Sequence, residues 1–469
     1  MSNLQLLLPE TILAGLALGI AALDILLPPR RARLLYHCAW IAAASVLIWL
    51  ISSLGWASSY GVGTLWACDP FSQFFKIIIL LTSVLCLLLG LDYVPLPEKH
   101  AGTFSALVLF SSAGLMCLVS ATDMLMIFVS LELVSISSFI LTGFERNNPK
   151  STEGSMKYFL FGAFSSAIMV YGISLYYGAT GGTHLLPNAA GHPMLTLGLI
   201  LILLGFGFKA SLAPMHFWVP DAYEGAPTPV AAFLSVAPKL ATFAAIARIF
   251  GSIFTLSAYD LGGIFTLLAV LTMTIGNLTA LFQTDVKRLL AYSSIAQAGY
   301  LLIGLAVGTP LGLEGVMFYS FVYIAMNIGA FAVAQAVGSA KNSYDLSAFD
   351  GLSKNHLGLS LCLTFCLLSL AGIPPFAGFM GKLYIFSAAV ESGRWGLAVA
   401  GVLNSVVSVY YYFLIAHRMF FREPSDERGL CVGPYVYGGL AVAVIGVLLL
   451  GLHPEPLIAG VRASTGMLP

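Results

Sequence analysis

The sequence predicts an all-α polytopic membrane protein with about fourteen transmembrane helices. Of its 469 residues, 59% are hydrophobic and only 9% are charged, whereas a soluble domain carries about 25% charged residues. A water-soluble chain could not cover so much apolar surface. The 21 basic residues balance the 21 acidic residues, so the basic excess of a nucleic-acid binder is missing. We therefore expect a lipid bilayer, and no nucleic acid, around the chain.

The apolar residues form runs that are long enough to cross a membrane as helices, which takes about 20 residues each. Short loops separate the runs and leave no room for a globular domain, so residues 1–469 are expected to form a single membrane domain. The predicted segments are 4–27, 34–54, 71–94, 103–120, 122–143, 153–178, 194–219, 227–251, 259–283, 286–307, 312–337, 357–391, 395–420 and 432–454.

Basic residues in the loops predict the orientation, because cytoplasmic loops are enriched in lysine and arginine. With a periplasmic N-terminus, fourteen of the 21 basic residues lie in cytoplasmic loops, and only Arg248, Arg394 and Arg462 lie in loops on the other side. Both termini are then periplasmic, in a bacterial inner membrane. Lys76 lies near the outer end of its segment and is expected to reach the interface.

The first segment is expected to remain as a helix, because the residues before it lack the basic region and cleavage site of a signal peptide. Its acids, Glu10 and Asp24, lie toward its ends, where interfacial placement is expected. Glu132 is different, because it lies in the middle of the fifth segment. An ionisable side chain there costs at least about 2.5–3.5 kcal/mol, so it is rare unless it has a function.

The seventh and twelfth segments each carry helix-breaking residues close to a lysine. The seventh contains Lys209-Ala-Ser-Leu-Ala-Pro214-Met-His216, and the twelfth contains Ile373-Pro374-Pro375-Phe-Ala-Gly-Phe-Met-Gly-Lys382. Broken helices at matching places in two halves are typical of inverted-repeat transporters. The alternative is that these residues only kink the helices.

Glu132, Lys209, Lys239 and Lys382 are therefore predicted to form a proton path. Burial disfavours a charged lysine and a nearby carboxylate favours it, so a Glu132–Lys209 pair would act as a coupled protonation switch. Lys239, after a helix break at Pro238, would pass the proton inward, and Lys382 would pass it to the periplasm. Each lysine could instead be a structural ion pair or a cap for carbonyls at a helix break.

Further polar or helix-breaking residues are predicted to support this path and to hold water in it. His216 could equally satisfy the carbonyls of the broken helix. The supporting candidates are Ser211, Pro214, His216, Ser235, Pro238, Thr242, Tyr292, Ser293, Ser294, Gln297, Pro374 and Pro375.

The stretch from Lys209 to Lys239 resembles the antiporter-like subunits of respiratory complex I. Its loop Pro220-Asp-Ala-Tyr-Glu-Gly-Ala-Pro-Thr-Pro229 is similar to that of the subunit N branch (mitochondrial subunit 2). Sister subunits L and M and the Mrp antiporters usually carry a His–Ala version. The stretches 285–300 and 371–382 also resemble subunit N.

The resemblance implies fourteen helices with an inverted repeat, covering residues 103–251 and 259–420, and a C-terminal helix at 432–454. It also implies one proton channel, lined by a glutamate on the fifth helix and by lysines on the seventh, eighth and twelfth helices, which match Glu132, Lys209, Lys239 and Lys382. Gln297 departs from the pattern, since relatives commonly have histidine there and glutamine cannot titrate.

The resemblance further implies a proton-translocating subunit of an NADH–quinone oxidoreductase that moves protons from cytoplasm to periplasm. No metal site or cofactor is expected in this chain, which lacks a cysteine cluster for iron–sulfur ligation and a glycine-rich dinucleotide loop. NADH, FMN, iron–sulfur clusters and quinone are expected in partner subunits, and the expected membrane partners are subunits M, L, K, J and A.

Three alternatives remain open from the sequence. The first is an Mrp-type sodium/proton antiporter subunit, which sodium-dependent proton flux through the isolated chain would favour. The second is the membrane subunit of a related energy-converting hydrogenase or formate-linked complex. The third is a structural scaffold, which would retain full pumping after loss of the three lysines.

Overall fold

The computed structural model describes residues 7–28, 32–53, 59–61, 65–93, 95–96, 100–185, 193–254, 261–424, 430 and 432–465. Four of the basic residues counted as cytoplasmic, Arg30, Arg31, Lys99 and Arg428, lie outside the described residues, as do the predicted segment starts 4–6 and 259–260.

The described chain is built of α-helices, with one short antiparallel hairpin, β1 (Ser59–Gly61) and β2 (Trp66–Cys68), and a 3₁₀ turn at Leu346–Phe349. The helices are α1 (Leu8–Leu26), α2 (Ala32–Ser52), α3 (Pro70–Leu91), α4 (Ala101–Ser120), α5 (Met124–Thr142), α6 (Pro149–Thr180), α7 (Pro193–Ala210), α8 (Val219–Gly225), α9 (Thr228–Phe254), α10 (Leu261–Ala280), α11 (Val286–Val307), α12 (Pro310–Lys341), α13 (Leu352–Asn355), α14 (Leu357–Ala371), α15 (Ala377–Glu391), α16 (Trp395–Phe421), α17 (Pro434–Leu452) and α18 (Glu455–Thr465).

The prediction of about fourteen transmembrane segments is confirmed. Thirteen helices in the described ranges are long and apolar enough to cross a membrane, and α14 with α15 makes up the predicted twelfth segment. Helices α9, α11 and α12 are almost completely buried, whereas α1, α6 and α17 expose most of their surface. A helix that is apolar all round and buried belongs to the centre of a bundle.

Polar residues directly before the helices explain where many of them begin. Asp69 caps α3 through the Ser72 amide at 2.7 Å, and Asp123 caps α5 through the Leu125 amide at 2.9 Å. Such caps satisfy amides that have no partner within the helix. Proline at the first helical position, as at Pro149 of α6, has no N–H to leave unsatisfied.

The predicted breaks in the seventh and twelfth segments are confirmed. Helix α7 ends one residue before Ser211, which has a φ of 62°, and α14 ends one residue before Gly372, which has a φ of 85°. This left-handed conformation is a common way to end a helix. Residues 211–218 and 372–376 are not helical, and they contain Pro214, Pro374 and Pro375.

The predicted placement of Lys76 and Glu10 at the interface is wrong. Their side chains are 2% and 4% exposed, and Lys76 Nζ lies 2.6 Å from Glu10 Oε1. The charges need not reach water because each neutralises the other. Arg248 is buried as well, and it donates two hydrogen bonds, of 2.8 and 2.9 Å, to the Asp69 carboxylate.

We expect Glu10→Gln to lower the free energy of unfolding by about 3 kcal/mol, because it leaves Lys76 buried without its counter-charge. Adding Lys76→Met should restore most of the loss. Thermal unfolding of the purified chain in detergent measures both effects.

The matched control is Glu314→Gln, because Glu314 pairs with Arg462, whose side chain is 62% exposed. Its effect should stay within about 1 kcal/mol. Equal losses for the two glutamate variants would contradict a stabilising role for the buried pair.

Candidate functional site

Glu132 lies in the middle of α5 and is half-buried. Ser166 of α6 donates a hydrogen bond of 2.5 Å from its Oγ to Glu132 Oε1. The carboxylate therefore has a neutral partner from the neighbouring helix. No salt bridge to Glu132 is present within the described ranges.

Lys209 lies in the last turn of α7 and is 4% exposed. Its Nζ donates a hydrogen bond of 3.0 Å to the hydroxyl of Tyr158 on α6. The rings of Phe139, Tyr158 and Phe208 surround the amine, with centroids 5.0 to 6.0 Å away. Lys209 makes no salt bridge to Glu132 within the described residues, because each has a hydroxyl of α6 as its hydrogen-bond partner. The two members of the predicted pair are thus not in direct contact.

The predicted helix break at Pro238 is wrong, because α9 continues through it from Thr228 to Phe254. A proline lacks the N–H that would bond to the carbonyl four residues earlier, here that of Leu234. The hydroxyl of Tyr223 on α8 donates to this carbonyl at 3.0 Å. A side chain from the preceding helix therefore replaces the missing backbone bond.

Lys239 follows this proline and is 2% exposed at the centre of the molecule. Its Nζ donates a hydrogen bond of 2.7 Å to Ser294 Oγ of α11 and lies 5.5 Å from the ring centroid of Tyr223. Ser294 passes a hydrogen bond on to the Ala291 carbonyl at 2.8 Å. Like Lys209, Lys239 has a neutral hydroxyl as its hydrogen-bond partner.

Lys382 lies in the first turns of α15 and is 3% exposed. Its Nζ donates to the carbonyls of Leu370 and Ala371 at 2.9 and 3.0 Å, and to Ser405 Oγ at 2.9 Å. Both carbonyls lack partners within α14 because the helix ends there. The break in the twelfth segment thus creates the binding site for the amine.

Gln297 connects Lys382 with polar groups in the centre of the bundle. Its Nε2 donates to the Leu370 carbonyl at 3.1 Å and to the Tyr412 hydroxyl at 3.2 Å. Its Oε1 accepts a hydrogen bond from the Tyr319 hydroxyl. Since Lys382 also donates to the Leu370 carbonyl, one carbonyl oxygen joins the lysine to the glutamine.

Tyr412 was not predicted as a site residue, although it links two residues that were. It accepts from Gln297, and its hydroxyl is also hydrogen-bonded to Ser293 Oγ. Tyr412 lies on α16, more than a hundred residues from both partners. The sequence signal was the run Tyr410-Tyr411-Tyr412, whose last two members are buried.

Other predicted residues occupy mixed positions. His216 is buried, whereas Pro214 is exposed. Ser235 accepts a hydrogen bond from Asn327 of α12, and Thr242 donates to the Pro238 carbonyl at 2.6 Å. In the described part of the chain, no hydrogen bond links Tyr292 to these groups; it packs half-buried on the apolar core.

A buried aromatic chain separates Lys209 from Lys239. Tyr158 stacks on Trp218 with ring centroids 3.9 Å apart, and Trp218 meets Tyr223 edge-on at 6.1 Å. Tyr158 holds one lysine and Tyr223 faces the other. No pattern in the sequence predicted this arrangement, because the three rings come from α6, from the non-helical break and from α8.

Helix α8 carries a second feature that sequence reasoning missed. Asp221 is paired with Lys157 at 2.6 Å and with Arg288 at 2.6 Å, and Glu224 is paired with Lys150 at 2.7 Å and with Arg288 at 2.8 Å. Partial burial alone would raise the pKa of both acids, but these cations outweigh it and lower the pKa of each. The network joins α6 and α11 through one short helix.

Comparison with known proteins shows the family. The model of a family described as "NADH:quinone oxidoreductase/Mrp antiporter, TM" matches residues 121–408. The NADH-quinone oxidoreductase subunit N of Trichlorobacter lovleyi is 42% identical over 473 residues, covering 97% of this chain and 96% of that protein. The chain belongs to the NADH:quinone oxidoreductase/Mrp antiporter family of membrane proteins.

Two solved structures contain chains with the same fold as this protein. A chain in respiratory complex I from Thermus thermophilus with bound aureothin has a TM-score of 0.84 and 34% identity, covering 97% of this chain and 100% of that one. A chain of the Mrp complex from Dietzia sp. has a TM-score of 0.89 at 21% identity, covering 99% of this chain and 97% of that one. The latter likeness shows the fold alone.

We expect Tyr223→Phe to destabilise the protein by about 1 to 2 kcal/mol, because the Leu234 carbonyl is left buried without a donor. The loss should shrink in a Pro238→Ala background, where the alanine N–H can bond to that carbonyl. Thermal unfolding of the two single variants and the double variant gives the coupling between the sites. Additive effects would contradict the assigned role of the hydroxyl.

Proposed function

We propose that the chain is a proton-translocating membrane-arm subunit of an NADH–quinone oxidoreductase. The observation that carries the proposal is a set of three buried lysines in the interior of the helix bundle whose hydrogen-bond partners are neutral, together with a membrane-embedded glutamate. A fourth buried lysine, Lys287, also has neutral partners, the carbonyls of Glu224 and Ala226, but it lies beside the α8 ion pairs and is not part of the proposed path. Full-length similarity to a protein named subunit N supports the assignment. Ionisable residues inside a membrane mark proton relays when they face the bundle interior.

In this proposal, Lys209, Lys239 and Lys382 accept and release protons, and Glu132 sets the charge balance at the first lysine. A carboxylate in direct contact would hold a lysine in its ammonium form. Tyr158, Ser294 and the groups around Lys382 provide hydrogen-bond acceptors for the ammonium without that charge. Each amine can therefore lose its proton when the local charge changes.

The two junctions along the path differ. Between Lys239 and Lys382, Lys239 donates to Ser294 of α11, and the adjacent Ser293 is hydrogen-bonded to Tyr412. Tyr412 accepts from Gln297, which shares the Leu370 carbonyl with Lys382. Between Lys209 and Lys239 lie stacked aromatic rings, which do not conduct protons. A proton must pass beside the rings, on water near His216, or wait until the rings move.

We further propose the arrangement of the chain in its assembly. The termini face the periplasm of a bacterial inner membrane, residues 103–251 and 259–420 form the two inverted repeats, and 432–454 is the last span. Subunits M, L, K, J and A are the membrane partners. NADH, FMN, iron–sulfur clusters and quinone are held by partner subunits, so the chain alone performs no redox reaction.

The proposal predicts that Glu132→Gln and Lys209→Ala lower proton pumping severalfold while the complex still assembles. Either change alters the charge at the first amine of the relay. The measurement is pumping per electron in inverted membrane vesicles, normalised to the amount of assembled complex.

The matched controls are Glu153→Gln and Lys354→Ala, which alter exposed residues of the same types. They should leave pumping close to wild type. Undiminished pumping in an intact complex carrying Lys209→Ala would reject the relay.

We also expect Gln297→Leu to lower pumping, because it removes the hydrogen bonds to Tyr319, Tyr412 and the Leu370 carbonyl while keeping similar bulk. Gln335→Leu is the control, since Gln335 is equally buried but donates to the Leu89 carbonyl at 2.8 Å, away from the path. Equal loss of pumping in both variants would indicate a general packing defect and not a role in the path.

A further inference from the structure

A separate cavity of about 360 Å³ lies between the start of α2, the end of α3 and the start of α17. We call it the α2–α17 cavity. All three helix ends belong to the side of the membrane on which the sequence places the basic loops. The cavity contains none of the residues proposed for the proton path.

Two side chains of α2 line this cavity with hydrogen-bond donors. Arg33 and His37 are four residues apart and share one face of the helix. Guanidinium and imidazole groups together suit the oxygens of a phosphate ester. The hydroxyl of the neighbouring Tyr36 is buried against Gly90 of α3, so it does not face the ligand.

An acid on another wall of the cavity narrows the choice of ligand. Asp92 follows α3, and its Oδ2 accepts a hydrogen bond of 2.8 Å from the Val436 amide in the first turn of α17. A carboxylate repels a phosphate but attracts an amine. A lining with the Arg33 guanidinium on α2 and an acid at the end of α3 therefore fits a zwitterion.

The surfaces that lead away from the cavity are apolar and exposed. On α2 the face that begins with Arg33 and His37 continues through Ile41 and Ile48, which are 55% and 67% exposed. On α17 the face that begins with Tyr435 continues through Val442 and Leu449. Both helices pack against α3. Two exposed apolar stripes that begin at a polar cavity are the arrangement expected for a lipid with one headgroup and two acyl chains.

We propose that the α2–α17 cavity binds the headgroup of a phospholipid that carries a primary amine. The phosphate lies against Arg33 and His37, the ammonium lies against Asp92, and the acyl chains follow the stripes on α2 and α17. Free inorganic phosphate could make the contact with the α2 side chains, but it has no ammonium to bind Asp92 and no acyl chains to cover the stripes.

Native mass spectrometry of the full chain, purified in detergent and stripped of lipid, tests the proposal. The probes are phosphatidylethanolamine, phosphatidylglycerol with the same acyl chains, and inorganic phosphate. Wild type should bind the ethanolamine lipid severalfold more tightly than the glycerol lipid. Arg33→Gln combined with His37→Gln should weaken both lipids about tenfold, the equivalent of losing one charge-assisted contact.

A milder variant tests the ammonium end of the headgroup. Asp92→Asn should remove the preference for the ethanolamine lipid, because it weakens binding of that lipid and relieves the repulsion of the glycerol lipid. The control is Arg146→Gln, which alters an arginine lining a different cavity in the loop before α6, and it should bind both lipids as wild type does.

Three outcomes would overturn the proposal. Equal binding of the two lipids by wild type would remove the role of Asp92. Unchanged lipid binding in the Arg33→Gln, His37→Gln variant would remove the phosphate site. Displacement of lipid by inorganic phosphate at comparable concentration would assign the cavity to free phosphate. None of these measurements depends on proton pumping.

Discussion

A charged amine inside a bilayer is stable only when hydrogen bonds or a counter-charge replace the water that it loses, and the centre of this protein is organised around that constraint. Lys382 donates hydrogen bonds to the carbonyls that lack helical partners where α14 ends. Lys209 donates to the Tyr158 hydroxyl, and Lys239 donates to the Ser294 hydroxyl. The break before Lys382 and the buried hydroxyls of Tyr158 and Ser294 thus have the same effect, because each supplies a hydrogen-bond acceptor to a buried lysine.

Apart from Lys287, which donates to the carbonyls of Glu224 and Ala226, the buried lysines and arginine of the described chain fall into two groups according to their partners. In the first group, Lys76 of α3 pairs with Glu10 of α1, and Arg248 of α9 pairs with Asp69, which caps α3. In the second group, the three lysines of the proposed relay donate hydrogen bonds only to neutral oxygen atoms. A carboxylate partner holds a cation in its charged form, so the first group is suited to structure and the second to proton exchange. Burial alone would not have separated these groups.

Hydropathy and charge predicted the spans, and the clustering of glycine and proline predicted the breaks after Lys209 and before Lys382. These are local properties of the sequence. The failures concern contacts between different helices. The helix continues through Pro238 because Tyr223 of the preceding helix supplies the missing bond, and Lys76 is buried because Glu10, 66 positions earlier, neutralises it. A single sequence contains no signal for either pairing. The links through Gln297 and Tyr412 were missed for the same reason.

The two intervals of the proposed path, from Lys209 to Lys239 and from Lys239 to Lys382, differ, and this difference indicates where proton transfer would be controlled. Polar side chains lead from α11 to Lys382 in the proposed path. The Gln297 amide and the Leu370 carbonyl do not themselves transfer a proton, so the role proposed for them is to order the water that carries it. The aromatic chain of Tyr158, Trp218 and Tyr223 obstructs the other half, and two of its rings also contact the lysines on either side. Tyr223 belongs to α8, whose acids are tied to α6 and α11 by ion pairs. A movement of α8 would therefore shift a ring of the barrier, the carbonyl cap next to Pro238 and the contact with Lys239 together. In the proposed path, such a movement would couple the ion pairs of α8 to the proton affinity of Lys239.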